Sequence, residues 1–372
     1  MSGLSYTDEE RELAATARSF LTSFVDNGYL NVQSESERGY EAGCWQRVCE
    51  LGWTGVHLPG RVGGSDGSLV DAALICREMG RAAFASPLLQ TLRAGTVLTT
   101  LRSDKQHDDL LAAMVQGTPA VLLSPPDRTL VGELADGALR LRGGACLVEW
   151  YAASESVVLL VPGSDGAWWC AVVPRPMLDR YATDVASIDN ERVSRLELDG
   201  LTVPGDVVRA ASVSSRSARY ALARADLLRA SAMVGGAQEV VERTARYALE
   251  RHQFGQPIGG FQAVRHHLAR MVIAADGAEL LCDDALHRAE PDLDEHAIAA
   301  AALFAAGRSY TEVVLTAAQI FGGVGTTVEH VLHHHFRRAK AMQLRSGRRA
   351  NRLRELHQSL VVERAARPSS LW

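Results

Sequence analysis

The sequence predicts an α+β protein in three parts: an N-terminal α-helical domain (1–117), a middle β domain (118–206) and a C-terminal helical bundle (207–372). Two changes of period carry that prediction. Apolar residues recur at helical spacing toward both ends, and between them lie short β-branched or aromatic runs separated by Gly, Pro, Asp and Ser. Length agrees, because 372 residues with 47% hydrophobic content can bury a large core and divide into two or three domains.

The first helix is expected in YTDEERELAATARSFLTSF, where Thr7 is placed to cap and acids fill the first turn. CWQRVCELGWTGVHLP and SLVDAALICREMGRAAF continue the helical pattern to about Gln116. Between them, PGRVGGSDGS (Pro59 to Ser68) has glycines that follow no strand, so a turn is expected there and not a phosphate cradle. From Thr118, the runs PAVLLSPP, GALRLRGGACLVEWYAA, SVVLLVPG, AWWCAVVPRP and RVSRLELDGLTVP read as strands.

After Val203-Pro204-Gly205 the helical period returns, in ARYALARADLLRASAMVGGAQEVVERTARYALERH, QAVRHHLARMVIAADGAELLCDDALHRA and DEHAIAAAALFAAGRSYTEVVLTAAQIF. Alanine content and Arg308 make the last a bundle helix of a soluble protein. No uncharged apolar run approaches the roughly 20 residues of a membrane span.

Composition narrows the function classes. The formal net charge of −5, with arginines spread along the chain, argues against nucleic-acid binding. Cys44, Cys49, Cys76, Cys146, Cys170 and Cys282 form no Cys-x-x-Cys pair and have apolar neighbours, which suits a reducing, cytoplasmic setting. The N-terminus opens as acidic helix, so no secretory signal is expected.

Three constellations could carry chemistry. In LERHQFGQPIGGFQAVRHHLARM, Arg251 and Phe254 lie three apart on an expected helix end and would project from one side. An arginine fork suits a pyrophosphate and a phenyl ring suits a flat heterocycle, although a plain helix-hairpin turn explains the same residues. In AAQIFGGVGTT, Gln319 ends a helix and Gly322, Gly323 and Gly325 follow. A dinucleotide fingerprint would have to follow a strand, so that reading fails. What remains is a helix C-cap, or a close backbone approach to a ligand with an amide beside it. In EHVLHHHFRRAK, His330 and His334 are spaced one helical turn apart, but no further ligand stands at a matching spacing. A histidine-rich helical surface is expected there, and no metal.

Together these pieces resemble the flavin-dependent acyl-CoA dehydrogenase family. RHQFGQPIGGFQAVRHHLARM, QIFGGVGTTVEH and FRRAK match its C-terminal bundle in order and approximate separation. ELGWTGVHLPGRVGGSDGSLVDAALICREMGRAAFASPLLQT resembles its N-terminal domain, and SRLELDGLTVPGD matches the end of its middle domain. The resemblance implies a barrel- or sandwich-like middle domain, a C-terminal four-helix bundle, and dimers or tetramers with FAD lying across a subunit interface. It further implies that Arg251 bonds the FAD pyrophosphate, that Phe254 packs on the cofactor, and that Gln319, Gly322 and Gly323 hold its adenine side, all toward the neighbouring subunit's flavin. The implied reaction removes the α proton and β hydride of an acyl-CoA, and an electron-transfer acceptor must then reoxidise the flavin. Such a site needs a carboxylate base and donors on the thioester oxygen.

The departures from that resemblance are as informative. Where relatives carry a glutamate followed by Gly and Thr, this chain has QLRSGRR, which puts Ser346 before Gly347, and serine is no substitute for a carboxylate. The family's other location for the base falls on Ala225; neighbouring Asp226 is one residue, about 100°, away and would need a displaced helix or a different substrate pose. Relatives' Thr-Glu-Pro, Gly-Ser-Asp and Trp-x-Thr segments around the flavin ring are replaced by LLSPPDRTLVGEL and ACLVEWYAA, with Trp150 expected to be a packing residue. No catalytic residue can be assigned. The expectation is a subunit of a hetero-oligomeric acyl-CoA dehydrogenase of the steroid side-chain type, whose homologous partner supplies the base. The rivals are a self-sufficient homo-oligomer and a non-catalytic scaffold.

Overall fold

A computed structural model describes residues 6–101, 107–125, 129–164, 166–204, 211–288 and 296–366. Helix α1 (Asp8–Phe24) starts at a reciprocal cap: the Glu10 amide donates to Thr7 Oγ1 at 3.1 Å and the Thr7 amide to the Glu10 carboxylate at 2.7 Å. Among the described residues α2 (Asn27–Glu35), α3 (Ala42–Glu50), α4 (Leu69–Arg81), α5 (Leu88–Leu101) and α6 (Asp108–Val115) follow. The glycine-rich segment before α4 closes on itself. Its Ser65, Asp66 and Gly67 amides donate to the carbonyls of Gly55, Leu58 and Val56. A Cβ on Gly64 would stand 2.1 Å from the Leu58 oxygen, so the turn exists to let backbone meet backbone.

The β region contains β1 (Ala120–Leu123), β2 (Leu130–Ala135), β3 (Ala138–Gly143), β4 (Cys146–Glu149), β5 (Ser156–Pro162), β6 (Trp168–Pro174), β7 (Ala182–Val185), β8 (Val193–Leu196), β9 (Thr202–Pro204) and β10 (Ala211–Val213). Among the described residues they form three sheets, ordered β1-β5-β6-β10, β2-β3-β9 and β4-β8-β7, with every pairing antiparallel except β1 with β5. Three strands escaped the sequence reading, for local reasons. Gly132 and Glu133 dilute β2, both central residues of β7 are exposed, and β10 is three residues long. The expected boundary at 206/207 lies outside the described residues.

The C-terminal region begins with α7 (Ser215–Glu250), followed by a short hairpin of β11 (His252–Gln253) and β12 (Gln256–Pro257). Helices α8 (Gln262–His287), α9 (His296–Phe321), α10 (Leu332–Arg345) and α11 (Arg349–Ala366) complete it. Helix α7 packs against α4, α5, α8 and α9, so one core runs from Ala17 in α1 to Met342 in α10. Two glycines permit its contact with α4: a Cβ on Gly80 would sit 1.8 Å from the Ala232 oxygen, and one on Gly235 would sit 1.9 Å from the Arg77 oxygen. By length and composition His296–Thr326 is apolar enough to cross a membrane, yet 56% of its most apolar window is buried in the bundle. Leu303, Tyr310 and Val314 supply that buried face.

The loop before β8 docks onto α10 through four consecutive residues. The Ile188 carbonyl accepts from Arg337, Asp189 pairs with Arg345 at 2.7 Å, Asn190 meets His334 Nδ1 at 3.2 Å, and Glu191 pairs with Arg338 at 2.5 Å. The expectation of a histidine-rich helical surface is therefore wrong for two of the four histidines. His334 also bonds Asn31 at 2.9 Å, His335 bonds the Tyr310 hydroxyl at 2.7 Å, and both rings are buried. His330 precedes the helix and packs against Phe321, so it does not share a helical face with His334. Partners from α2, α9 and the β region capture these side chains, and such long-range contacts leave no mark in local spacing.

Candidate functional site

The five residues expected to hold a cofactor gather at one end of the bundle. Tyr247, one turn from the end of α7, stacks on Phe321, the last residue of α9, with ring centroids 4.2 Å apart and planes 20° from parallel. That stack brings the hairpin after α7 beside the glycine turn after α9.

Arg251 and Phe254 do not project together from a helix end, contrary to the spacing argument. Helix α7 stops at Glu250 because Arg251 turns extended (φ −78°, ψ 120°), its amide still donating to the Tyr247 carbonyl. Phe254 and Gly255 then form the two-residue turn of the hairpin with φ of 52° and 80°. Positive φ at both central positions matches the twist of a tight hairpin. For phenylalanine this backbone costs roughly 1–2 kcal/mol, and its side chain is 93% exposed. Among the described residues its ring meets Phe261 edge-on with centroids 6.1 Å apart, so burial offsets little of that cost.

Gln319 is exposed in the last turn of α9, and Gly322 ends that helix at φ 63°. Nothing lies within 4 Å of where a Cβ would stand on Gly322 or Gly323, which leaves their backbone open to approach. Gly325 differs, since a Cβ there would meet Phe321 at 2.6 Å and Leu332 at 2.9 Å, so packing alone requires it. A guanidinium, an amide, an aromatic ring and open backbone, all outward-facing, fit a large ligand approached from outside this chain.

The second feature is a cavity of about 390 Å³ between the β region and the bundle. Leu122 to Pro125, Thr129, Cys146, Leu147 and Glu149 form one wall, so the segments that replace the relatives' ring-side residues are the ones that line it. Asp226 lines it as well. Ala225 instead lies in the core, where its carbonyl accepts from Arg93 at 3.2 Å.

Neither carboxylate in the cavity is poised to take a proton. Asp226 pairs with Arg93 at 2.9 Å and with Arg352 at 3.5 Å. Burial would raise its pKa, but Arg352, Arg93 and Arg229 outweigh that and hold the carboxyl below its ordinary range. Glu149 pairs with Arg229 at 2.6 Å and Arg345 at 3.6 Å, and accepts from Gln90. Burial again pulls upward, and Arg229, Arg345 and Arg93 again prevail. The Ser346 hydroxyl is spent on the Met342 carbonyl at 2.8 Å. Trp150 lies outside the cavity, buried, its indole N–H donating to Glu191, in keeping with a packing role.

Sequence reasoning missed Gln90, Arg93, Glu149, Arg229 and Arg345. One signal was present: Arg93 is the one charged residue in LLQTLRAGTVL, and a charge in a mostly uncharged, apolar-rich helix needs buried partners.

The chain belongs to the acyl-CoA dehydrogenase family. The profile of the acyl-CoA dehydrogenase N-terminal domain matches residues 7–118 and that of the C-terminal domain residues 216–361, together well over half of the chain. It is similar to acyl-CoA dehydrogenase IpdE2 of Mycobacterium tuberculosis, 28% identical over 335 residues that cover 89% of this chain and 91% of the relative. IpdE2 of Mycolicibacterium smegmatis is 27% identical over 350 residues, covering 94% and 98%. Among solved structures, the ChsE4-ChsE5 complex from Mycobacterium tuberculosis shares the fold with a TM-score of 0.85 at 21% identity, covering 99% of this chain and 100% of the matched one. A variant of the Tcur3481-Tcur3483 steroid ACAD gives a TM-score of 0.86 at 24% identity, covering 96% and 99%. FAD is the cofactor of this family.

Proposed function

We propose that this chain is one subunit of an acyl-CoA dehydrogenase that converts an acyl-CoA thioester to a 2-enoyl-CoA, and that a homologous partner chain supplies the base. One contrast carries the reading: the residues suited to a neighbour's cofactor are outward-facing, whereas both carboxylates of the chain's own cavity are locked to arginines. The chemistry FAD supplies when bound is acceptance of the substrate's β hydride. Arg251 would bond its pyrophosphate, Phe254 would cover it, and Gln319 with the Gly322 and Gly323 backbone would hold the adenine side.

An obligate assembly is supported by apolar side chains left in water on this part of the molecule. Leu249 is 70% exposed, Ile273 72%, Leu280 60% and Leu315 54%. The similarity to the two-component steroid proteins supports a bulky polycyclic acyl group as substrate and a hetero-oligomer as the working form. A cytoplasmic location and a separate electron-transfer acceptor belong to the same proposal.

The test is to express the chain alone and together with a homologous acyl-CoA dehydrogenase chain, then measure assembly mass, bound flavin and dye-coupled oxidation of acyl-CoA. Oxidation only in the mixed preparation is expected. Full turnover by the chain alone would overturn the division of labour.

A further inference from the structure

We infer that the outer face of α10 is an interaction surface whose occupant is the homologous partner chain, which meets it with carboxylates set around an apolar contact. The inference rests on the proposed hetero-oligomer and names where, outside the cofactor contact, the two chains touch.

Helix α10 differs sharply between its two sides. Its inner side is buried through Leu332, Arg338 and Met342, whereas Phe336, Lys340 and Leu344 are exposed. Spaced four residues apart, these three share one side of the helix. Arg337 lies beside them and donates from Nε to the Ile188 carbonyl, which brings a further exposed apolar residue to the edge of the strip.

The charges divide in the same way. Inward, Arg338 pairs with Glu191 at 2.5 Å and Arg345 with Asp189 at 2.7 Å. Outward, Arg337 meets the Ile188 carbonyl and His333 Nε2, the latter at 3.1 Å, and Lys340 meets Gln343 Oε1 at 3.0 Å. Neither outward cation has an ion-pair partner among the described residues. An aromatic ring and aliphatic side chains edged by cations have the composition of an interface core and its rim. The complementary surface is apolar at its centre and acidic at its edge.

Position and symmetry choose the occupant. Helix α10 begins beside the glycine turn, where a Cβ on Gly325 would meet Leu332 at 2.9 Å, and it ends at Leu344 and Arg345 in the cavity lining. The strip therefore runs from the cofactor end of the bundle to the cavity, and a chain seated at that end continues along it without a break. A second copy of this chain, docked face to face about a two-fold axis, would instead set Arg337 and Lys340 against the same two cations.

The test is amine acetylation with peptide mass mapping, on the chain alone and in the mixed preparation with a homologous acyl-CoA dehydrogenase chain. The sequence has two lysines, and Lys105, which lies outside the described residues, reports the reagent dose. Labelling of Lys340 relative to Lys105 should fall at least about fivefold in the mixed assembly, because a packed interface excludes the reagent. Lys340→Glu should weaken association at least about fivefold while Lys340→Arg stays close to the parent. Both variants should keep the parent's circular dichroism, since Lys340 holds no buried contact. A flavin-loaded mixed assembly in which Lys340 reacts as it does in the chain alone, or one that forms equally well with Lys340→Glu, would overturn this inference and leave the proposed function standing. Failure of the two chains to associate at all would overturn both.

Discussion

Replacing Glu149 by glutamine removes one negative charge from the centre of the cavity's buried network while keeping the side chain's size. Arg229 then loses its 2.6 Å partner and Arg345 loses a 3.6 Å one, although Arg345 keeps Asp189 at 2.7 Å. Breaking a buried pair typically costs about 3–5 kcal/mol, because the remaining charge stays in a poorly hydrated site. With Asp189 still holding Arg345, a loss near the lower end, about 3 kcal/mol, is expected. For a large domain this is a fall in Tm of roughly 6–12 °C. Circular dichroism melting of Glu149→Gln beside the parent measures it. Glu197→Gln is the control, since Glu197 pairs with Arg195 while both remain more than half exposed, and such pairs are worth under about 1 kcal/mol. If both variants melted with the parent, the claim that Glu149 ties the β region to the bundle would be refuted.

Three further outcomes follow from the same geometry. Phe254→Gly should change the chain's own stability by less than about 1 kcal/mol, because relief of the φ 52° backbone offsets glycine's entropy and little packing is lost; flavin retention in the mixed assembly should nevertheless fall, and unchanged retention would remove the ring from the cofactor contact. Burial, then His333 and Arg337, lower His334 to about 4 from its ordinary 6.5. The unfolded chain therefore binds this proton first as pH drops, so stability is intact above 6.5 and declines toward 4, by about 1 kcal/mol at pH 5 after allowance for solvent screening. Urea midpoints at pH 7 and pH 5 for parent and His334→Gln check this, since the variant should lose less. Asp226→Asn should leave turnover of the mixed assembly within about threefold, whereas a loss of about a thousandfold in kcat would make Asp226 the base after all.

Much of the architecture was legible because it rests on local physics. The Thr7 cap, the helical period of α7 to α9 and the apolar runs of β1, β5 and β6 are written in consecutive residues. Two kinds of feature stayed hidden. The hairpin after Glu250 depends on a phenylalanine in a left-handed backbone, a residue that turn chemistry would not select. The cavity's electrostatics depend on pairs such as Glu149 with Arg229 and Arg93 with Asp226, far apart in sequence and joined only by folding. Asp226 lines the cavity beside them, paired with Arg93 and Arg352.

The most direct measurement is the flavin content of the assembled, partner-containing protein when Arg251 and Gln319 of this chain are both changed to alanine. Loss of bound flavin with the assembly mass intact is the predicted result. Full flavin occupancy in that variant would contradict the account, because the cofactor would then be held without the residues this subunit is proposed to lend.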